Sequence, residues 1–383
     1  MRAAPAASSG AEPPFDIACV RRATFFRLPV TYAYCHVERQ PMPTIVVIGG
    51  SAGAIKALKI ILPMLPQDFP AAILIVTHIG SQRSKVPEIL GRCSAMPVRH
   101  ASDGEPLIPG RVLVAPPDEH LTVVTKDGKA YVRLLHGTKE NHCRPAIDPL
   151  FRSAASAFRK NTIGVVLSGY LDDGTVGLQA VKACGGLAIV QDPTEAEALD
   201  MPASALEHVD VDRVLRVSEI GPALVELVNR SVQSGGTRHE DTGSHLPSWI
   251  DIENRITGRD SDMDDLEQIG KPSSLTCPEC SGALWEICRN GPLRYRCHTG
   301  HAFTAKVLET LQSSAVEDAI WGAIRALHEQ ERLFSKLCEK ERQSGDAEGV
   351  AEYQAKAAQA KVHAQALRDV IATRALIVKS EIS

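Results

Sequence analysis

The 383 residues lack the features that would place this chain in a membrane, outside the cell or on nucleic acid. Its net charge is −4, and no basic patch points to a nucleic-acid partner. The longest apolar runs, Thr44–Ile48 and Ala71–Thr77, have the length of a strand. A membrane span needs about 20 apolar residues. Residues 1–20 also lack the uninterrupted apolar segment of a secretory signal. The sequence therefore predicts a cytoplasmic protein with no nucleic-acid binding and no membrane insertion.

Apolar segments of strand and helix type alternate over residues 42–232. The predicted strands are Thr44–Ile48, Ala71–Thr77, 111–115, 121–125, 130–135, 162–167 and 187–190, and the predicted helices are 54–62, 147–159, 175–183, 203–207 and 220–232. The segments at 111–115, 121–125 and 130–135 are separated by turn residues, which is typical of antiparallel hairpins. The pattern predicts an α/β fold with a doubly wound, mostly parallel sheet and an antiparallel insertion. A small zinc ribbon and an α-helical tail are predicted to follow.

Composition changes divide the chain into five predicted parts. Residues 1–41 are rich in Ala, Pro, Ser and Gly and are interpreted as a disordered leader ahead of a native start near Met42. Residues 42–232 form the catalytic domain, and the polar stretch 233–274 is interpreted as a flexible linker. Residues 275–304 form a cysteine module, and 305–383 a tail. The tail predicts two helices, roughly 315–341 and 347–376, that form an antiparallel hairpin broken near Ser344-Gly345.

A candidate nucleophile follows the first strand. Ser51 lies in the sequence GGSAG, and a glycine-rich turn between a buried strand and a helix exposes a hydroxyl at the carboxyl edge of the sheet. The amide of Ala52, at the start of the helix, is placed to stabilise an oxyanion. The alternative is a dinucleotide-binding turn, but its two leading glycines would be separated by one residue. An acidic residue would also end the second strand, where this chain has His78.

His78 suits a base for Ser51, because adjacent parallel strands bring their carboxyl ends together. Asp172 and Asp173 follow the strand at 162–167 and precede a helix. Asp172 fits the role of a helix N-cap, which leaves Asp173 as the third member of a Ser–His–Asp triad. The chain order Ser, His, Asp differs from the order of the α/β-hydrolases.

Residues 44–230 resemble the catalytic domain of the CheB-type chemotaxis receptor methylesterases. The resemblance lies in IGGSAGAIKAL, the TH of IVTHIG, VLVAPPDEHL, RPAIDPLF, LSGYLDDGTVGL and QDPTEAEALDMPASAL, in family order. It implies that Ser51 is the nucleophile, His78 the base and Asp173 the third member. It also implies that the amide of Tyr170, where the family usually has Met, shares the oxyanion hole with Ala52. The implied substrate is a glutamyl methyl ester, with possible deamidation of glutamine, and catalysis needs no cofactor.

The chain departs from the family pattern at the rim of the expected site. It has Cys143-Arg144-Pro145 where the family commonly has His-Arg-Pro, and His142 is the neighbouring substitute. Asp200 precedes Met201-Pro202 where the family commonly has Gly. No receiver domain is expected in the 41-residue leader. These departures bear on substrate range more than on the chemistry.

The cysteine module has the spacing of a structural zinc site. Four of the ten cysteines lie with histidines in this short stretch. Tetrahedral zinc takes four nitrogen or sulfur ligands from two short turns. Cys277, Cys280, Cys297 and His301 are the predicted ligands, with His298 as the alternative to His301 and Cys288 as the spare. Buried free thiols are the competing interpretation, and redox chemistry lacks a thioredoxin-like surround.

The predicted partners are the methylated cytoplasmic helices of a chemoreceptor or a similar signalling protein. The tail is expected to pack on its own chain, to self-associate or to bind a regulator. Two other functions stay open at this point. One is an esterase outside chemotaxis that uses the same triad, and the other is a catalytically silent signalling scaffold.

Overall fold

A computed structural model describes residues 43–78, 80, 82–233, 246–258, 263–287 and 291–381. The predicted leader over 1–41 lies outside the described residues. The elements in chain order are β1 (Thr44–Gly50), α1 (Ala54–Ile61), β2 (Ala71–Thr77), α2 (Val86–Gly91), β3 (Val98–His100), β4 (Val112–Val114), β5 (His120–Lys126), β6 (Lys129–Leu135), α3 (Ile147–Phe158), β7 (Thr162–Val166), α4 (Thr175–Ala183), β8 (Leu187–Gln191), α5 (Asp200–His208), β9 (Arg213–Leu215), α6 (Val217–Gln233), α7 (Ser248–Gly258), α8 (Met263–Ile269), β10 (Gly270–Thr276), β11 (Ala283–Ile287), β12 (Arg294–Cys297), β13 (Ala302–Thr304), α9 (Ala305–Ser344) and α10 (Ala347–Glu381).

A seven-stranded parallel sheet forms the centre of the molecule, in the order β3-β4-β2-β1-β7-β8-β9. All residues of β1 and β2 are buried, as expected for strands covered on both faces. Helices α1, α2 and α6 cover one face, while α3, α4, α5 and α7 cover the other with the β5–β6 hairpin. Strand β1 lies between β2, β4 and β3 on one side and β7, β8 and β9 on the other, so the strand order reverses at β1. Ligand sites lie at such a switch in strand order, outside the carboxyl ends of the strands.

The prediction of an α/β fold with a mostly parallel sheet is confirmed, and two local predictions are wrong. The pattern predicts a hairpin strand at 111–115, but β4 pairs in parallel with β2 and β3 inside the main sheet. Its three residues are all buried, because both faces are covered. The antiparallel insertion consists of β5 and β6 alone.

The polar stretch 233–274 is not a flexible linker where the structure describes it. Helix α7 buries Trp249, Ile250, Ile252 and Ile256 in the same core as α3. Helix α8 and strand β10 then lead directly into the next sheet. The apolar residues of α7 recur at helical spacing, and burial of this stripe outweighs the polar composition around it.

The C-terminal part is a four-stranded antiparallel sheet followed by two long helices. Strands β10 to β13 pair in sequence order and enclose a small core of their own. Gly345 ends α9 in the left-handed conformation, and α10 packs back along α9. The stacked rings of Phe334 and Tyr353, 6.3 Å apart, join the two helices. Within the described residues no helix has the length and hydropathy to cross a membrane.

Candidate active site

Ser51 and His78 lie side by side at the carboxyl ends of β1 and β2. The register pairs Gly50 with Thr77, so the next residue on each strand is Ser51 and His78. The His78 amide donates to the Gly50 carbonyl at 3.3 Å, and the Ser51 amide donates to the Ser168 carbonyl at 2.9 Å. Both bonds fix the backbone at the switch between β2, β1 and β7. In the described part of the chain, no hydrogen bond joins the Ser51 hydroxyl to the His78 ring.

The imidazole of His78 is held by Asp173, which follows β7. Its Nε2 lies 2.8 Å from Asp173 Oδ2, and this leaves Nδ1 as the ring nitrogen that can accept a proton. Burial lowers the pKa of His78, but its hydrogen bonds with Asp173 and Cys143 and the charge of Asp173 outweigh burial and raise the pKa above the ordinary value. The ring therefore takes up a proton readily, and the carboxylate stabilises the resulting cation.

Asp173 is a buried carboxylate with a full set of donors. Its Oδ1 accepts from the Asn141 side chain at 3.0 Å and from the Gly174 amide at 3.0 Å. The Ile147 amide, in the first turn of α3, donates to Oδ2 at 2.7 Å. A helix N-terminus favours a negative charge. Burial raises the pKa of Asp173, but these bonds and His78 outweigh it and lower the pKa below its usual value.

The N-termini of α3 and α4 each donate hydrogen bonds to a carboxylate that lies at the start of the other helix. Asp173, immediately before α4, accepts from the first amides of α3, whereas Asp148 of α3 accepts from the amides of Gly174 and Gly177 at 3.0 and 2.6 Å. Because each carboxylate satisfies backbone donors of the other helix, α3 and α4 fix each other's position. Asp148 and Asn141 carried no spacing signal in the sequence that marked them as part of this site.

The backbone near Ser51 offers amides for a developing oxyanion. A Cβ on Gly169 would lie 2.9 Å from Ser51 Cβ and 3.1 Å from the Ser51 nitrogen, so the backbone at residue 169 comes close to Ser51 only because it is glycine. In the described structure, the amides of Ala52 and Tyr170 have no hydrogen-bond acceptor. Gly53, between Ser51 and α1, adopts the left-handed conformation with φ of 82°.

The residues that depart from the family pattern border this site. Cys143 lies near enough to the His78 ring to raise its pKa. The substitute His142 instead contacts Glu279 of the cysteine module, at 2.5 Å. Asp200 accepts from the Leu171 amide at 3.3 Å and so fastens the turn that leads to Asp173.

The prediction that Asp172 caps a helix is wrong. Gly174 is the N-cap residue of α4, and the helix has no side-chain cap at that position. The Asp172 carboxylate instead accepts from the Thr304 hydroxyl of the C-terminal part, at 2.7 Å. No local pattern predicts this contact, because the two residues are 132 positions apart.

The four predicted metal ligands come together in the C-terminal sheet. Ligand atoms of Cys277, Cys280, Cys297 and His301 all lie within 4.8 Å of one another, so the cluster can hold a metal ion. Three sulfur atoms and one imidazole nitrogen form a donor set that zinc prefers. Within the described residues, the alternative ligand His298 is not part of this group. The spare candidate Cys288 lies outside them.

The chain is an α/β protein with a parallel sheet. Ser51, His78 and Asp173, which follow three adjacent strands, are the residue types that a serine hydrolase uses. A family model described as CheB methylesterase matches residues 46–224. A Leptospira interrogans protein, provisionally named protein-glutamate methylesterase/protein-glutamine glutaminase, is 40% identical over 189 residues, which are 49% of this chain and 96% of that protein. The chain belongs to the CheB methylesterase family.

Two further matches involve Thermotoga maritima. A protein-glutamate methylesterase/protein-glutamine glutaminase is 39% identical over 185 residues, which cover 48% of this chain and 54% of that protein. The crystal structure of the Thermotoga maritima CheB methylesterase catalytic domain is 37% identical, covers 49% of this chain and 99% of that structure, and gives a TM-score of 0.48.

Proposed function

We propose that the protein is a serine hydrolase that removes methyl esters from glutamyl residues of other proteins and also deamidates glutamines. The observation that carries this proposal is the His78 ring, which is held 2.8 Å from Asp173 beside Ser51 in a member of the CheB methylesterase family. The names of the relatives, protein-glutamate methylesterase/protein-glutamine glutaminase, support the substrate class.

In the proposed reaction, Nδ1 of His78 takes the proton of Ser51 as Oγ attacks the ester carbonyl. The amides of Ala52 and Tyr170 donate to the oxyanion. The carbonyl re-forms, the C–O bond to the methoxy group breaks, and methanol leaves with the proton from His78. Water then attacks the acyl-enzyme with the same base and releases the glutamate carboxyl. For glutamine, ammonia leaves in place of methanol.

We propose that the cluster of Cys277, Cys280, Cys297 and His301 holds a structural zinc ion. A set of four protein ligands leaves no open position for a substrate or a reactive water. The metal then stabilises the fold of the C-terminal sheet, whose own core is small. Catalysis at Ser51 uses no step at this site.

The proposed protein substrate is the methylated cytoplasmic helix of a chemoreceptor or a similar signalling protein, encountered in the cytoplasm. The resemblance to the chemotaxis enzymes supports this choice. Tyr170, whose amide is proposed to donate to the oxyanion, has an exposed side chain, with 63% of the residue accessible. It therefore offers an aromatic contact to an incoming helix.

The test is methanol release from a methylated receptor peptide by the full chain. Ser51→Ala should lower the rate by several orders of magnitude, because the nucleophile is lost. Ser335→Ala is the matched control, since its exposed hydroxyl only contacts the Glu331 carbonyl within α9. Unchanged methanol release by the Ser51→Ala protein would refute the mechanism.

The two other functions give different results. An esterase outside chemotaxis would hydrolyse small esters through Ser51 and leave the methylated peptide intact. A silent scaffold would not react with a fluorophosphonate, whereas the proposed enzyme should label with one equivalent at Ser51.

A further inference from the structure

The C-terminal ribbon, defined as β10 to β13, contacts the two segments that hold Asp173. These are the 139–143 loop, which carries Asn141, and the Asp turn, which comprises residues 170–173. We propose that Asn141 and Thr304 are positioning residues for Asp173, and that the docked ribbon is needed for the full rate at Ser51. This inference rests on the proposed function and adds to it a dependence of the catalytic site on a part of the chain beyond the family match.

Asn141 connects the ribbon to the carboxylate of Asp173. Its Oδ1 accepts from the Thr304 amide at 3.2 Å, while its Nδ2 donates to Asp173 Oδ1 at 3.0 Å. Asn141 is only 6% exposed and Thr304 1%, so water does not compete for these bonds. The Thr304 amide therefore selects the orientation of the Asn141 amide group that presents a donor to Asp173.

The backbone of the 139–143 loop pairs with the ribbon. The Asn141 amide donates to the Ala302 carbonyl at 2.8 Å, and the Ala302 amide donates to the Lys139 carbonyl at 3.4 Å. Asn141 has a left-handed backbone with φ of 51°, an uncommon conformation that needs support from its surroundings. Strand β13 supplies this support through these two backbone bonds.

The ribbon also contacts the Asp turn itself. The Thr304 hydroxyl donates to Asp172 at 2.7 Å, next to Asp173 in the chain. Leu171 has a left-handed backbone with φ of 64°, which is unfavourable for this residue type. Its side chain packs against the ribbon core around Phe303. The ribbon therefore stabilises a strained turn whose last residue orients the catalytic histidine.

A buried charge cluster keeps the ribbon docked. Arg296 of β12 is 1% exposed, and it lies 3.2 Å from Glu140 and 3.3 Å from Glu253. Glu140 also pairs with Arg152 of α3 at 2.9 Å. Undocking would leave buried charges without their partners, which is costly. The docked arrangement of the ribbon is therefore the one in which these buried charges have their partners.

The first test replaces Asn141 with glycine in the full chain. Glycine tolerates the left-handed backbone. Asn141→Gly therefore removes the side-chain amide, while the hydrogen bond from the backbone N–H of residue 141 to the Ala302 carbonyl remains. We expect kcat for p-nitrophenyl acetate to fall about tenfold, the usual effect of one hydrogen bond to a charged group, with KM unchanged. The rate of fluorophosphonate labelling at Ser51 should fall by the same factor. Asp127→Gly, at a second left-handed position that is exposed and far from Asp173 in the chain, is the matched control.

The second test asks whether the ribbon acts through Thr304. Thr304→Val should lower kcat and the labelling rate about tenfold, and Thr304→Ser, which keeps the hydroxyl, should restore both. Thr304 also caps α9 by accepting from the Val307 amide at 3.3 Å. Loss of the cap alone would lower the melting temperature and leave kcat at the assay temperature unchanged. Thr310→Val, on the exposed side of α9, is the control.

Wild-type kcat and labelling rates in both Asn141→Gly and Thr304→Val would overturn the inference. A fall in either rate that Thr304→Ser does not reverse would overturn the part assigned to the hydroxyl. Failure of the proposed function is separate, because it is measured on the wild type with the methylated peptide. These tests compare variants on a small ester that needs only Ser51 and its partners.

Discussion

The buried charge cluster predicts that the effects of two substitutions on stability are not additive. Three arginines, Arg152, Arg294 and Arg296, surround the carboxylates of Glu140 and Glu253. Replacing Glu253 with Gln leaves three guanidinium groups facing one carboxylate, and we expect a loss of about 5 kcal/mol in the free energy of unfolding. Replacing Arg296 with Met leaves two arginines for two carboxylates, so the free energy of unfolding should fall by only about 3 kcal/mol.

The double variant decides whether this account of the cluster is correct. Once Glu253 has lost its charge, Arg296 faces a local excess of positive charge, and its removal relieves part of the repulsion. We expect the pair to cost about 5 kcal/mol, well below the ~8 kcal/mol of the separate effects, since charges in contact are coupled. Urea denaturation of the full chain measures all three values, and Arg342→Met, on an exposed helical pair, should change nothing measurable. Additive losses would refute a shared electrostatic network.

Three further predictions concern pH and metal. Because the pKa of His78 is raised, its free base forms only above the ordinary imidazole range. We expect kcat/KM to rise with pH through a pKa above 6.5. Cys143→Ala should lower that pKa in a pH–rate profile, because it removes one of the groups that raise it. Burial opposes the charge of Glu253, but its arginines lower its pKa to about 2, and the pKa of Glu140 is also depressed. Both groups stabilise the fold above their unfolded pKa of 4.5, and this stability should be lost as pH falls toward about 2. In Glu253→Gln the free energy of unfolding should fall less steeply with decreasing pH. Acid titration followed by circular dichroism measures both. A chelator should release one zinc ion per chain. It should also slow the labelling of Ser51 as Asn141→Gly does, because β13 follows the ligand His301 directly. Release of metal with an unchanged labelling rate would contradict this.

The sequence predicts the reacting residues because they follow strands. Ser51, His78 and Asp173 each come after a buried apolar run, and parallel strands bring their carboxyl ends to one edge. The four candidate metal ligands were predictable for a similar reason, since short loops fix their spacing. Local patterns contain the information in both cases. Their catalytic and ligand roles stay predictions that the experiments above address.

The support of the site was not predictable from local pattern. Thr304 and Asn141 are 163 residues apart, and neither has a neighbour pattern that marks a contact. Helix α7 had a detectable signal in Trp249, Ile252 and Ile256, which recur at helical spacing, but the surrounding polar residues favoured a linker. Strand β4 has only three residues, too few for an alternation that distinguishes a hairpin from a buried parallel strand.

The site keeps two buried carboxyl groups near each other, and their different environments shift their pKa values in opposite directions. Burial and the charge of Asp173 raise the pKa of Asp148 well above its usual value, while His78 and several amides lower the pKa of Asp173 below its own. These opposite shifts favour the negative charge on Asp173, which faces the imidazole, over Asp148. Asn141 donates to both, at 3.1 Å to Asp148 and 3.0 Å to Asp173. Since the Thr304 amide orients Asn141, the ribbon also contributes to placing the charge where the histidine needs it.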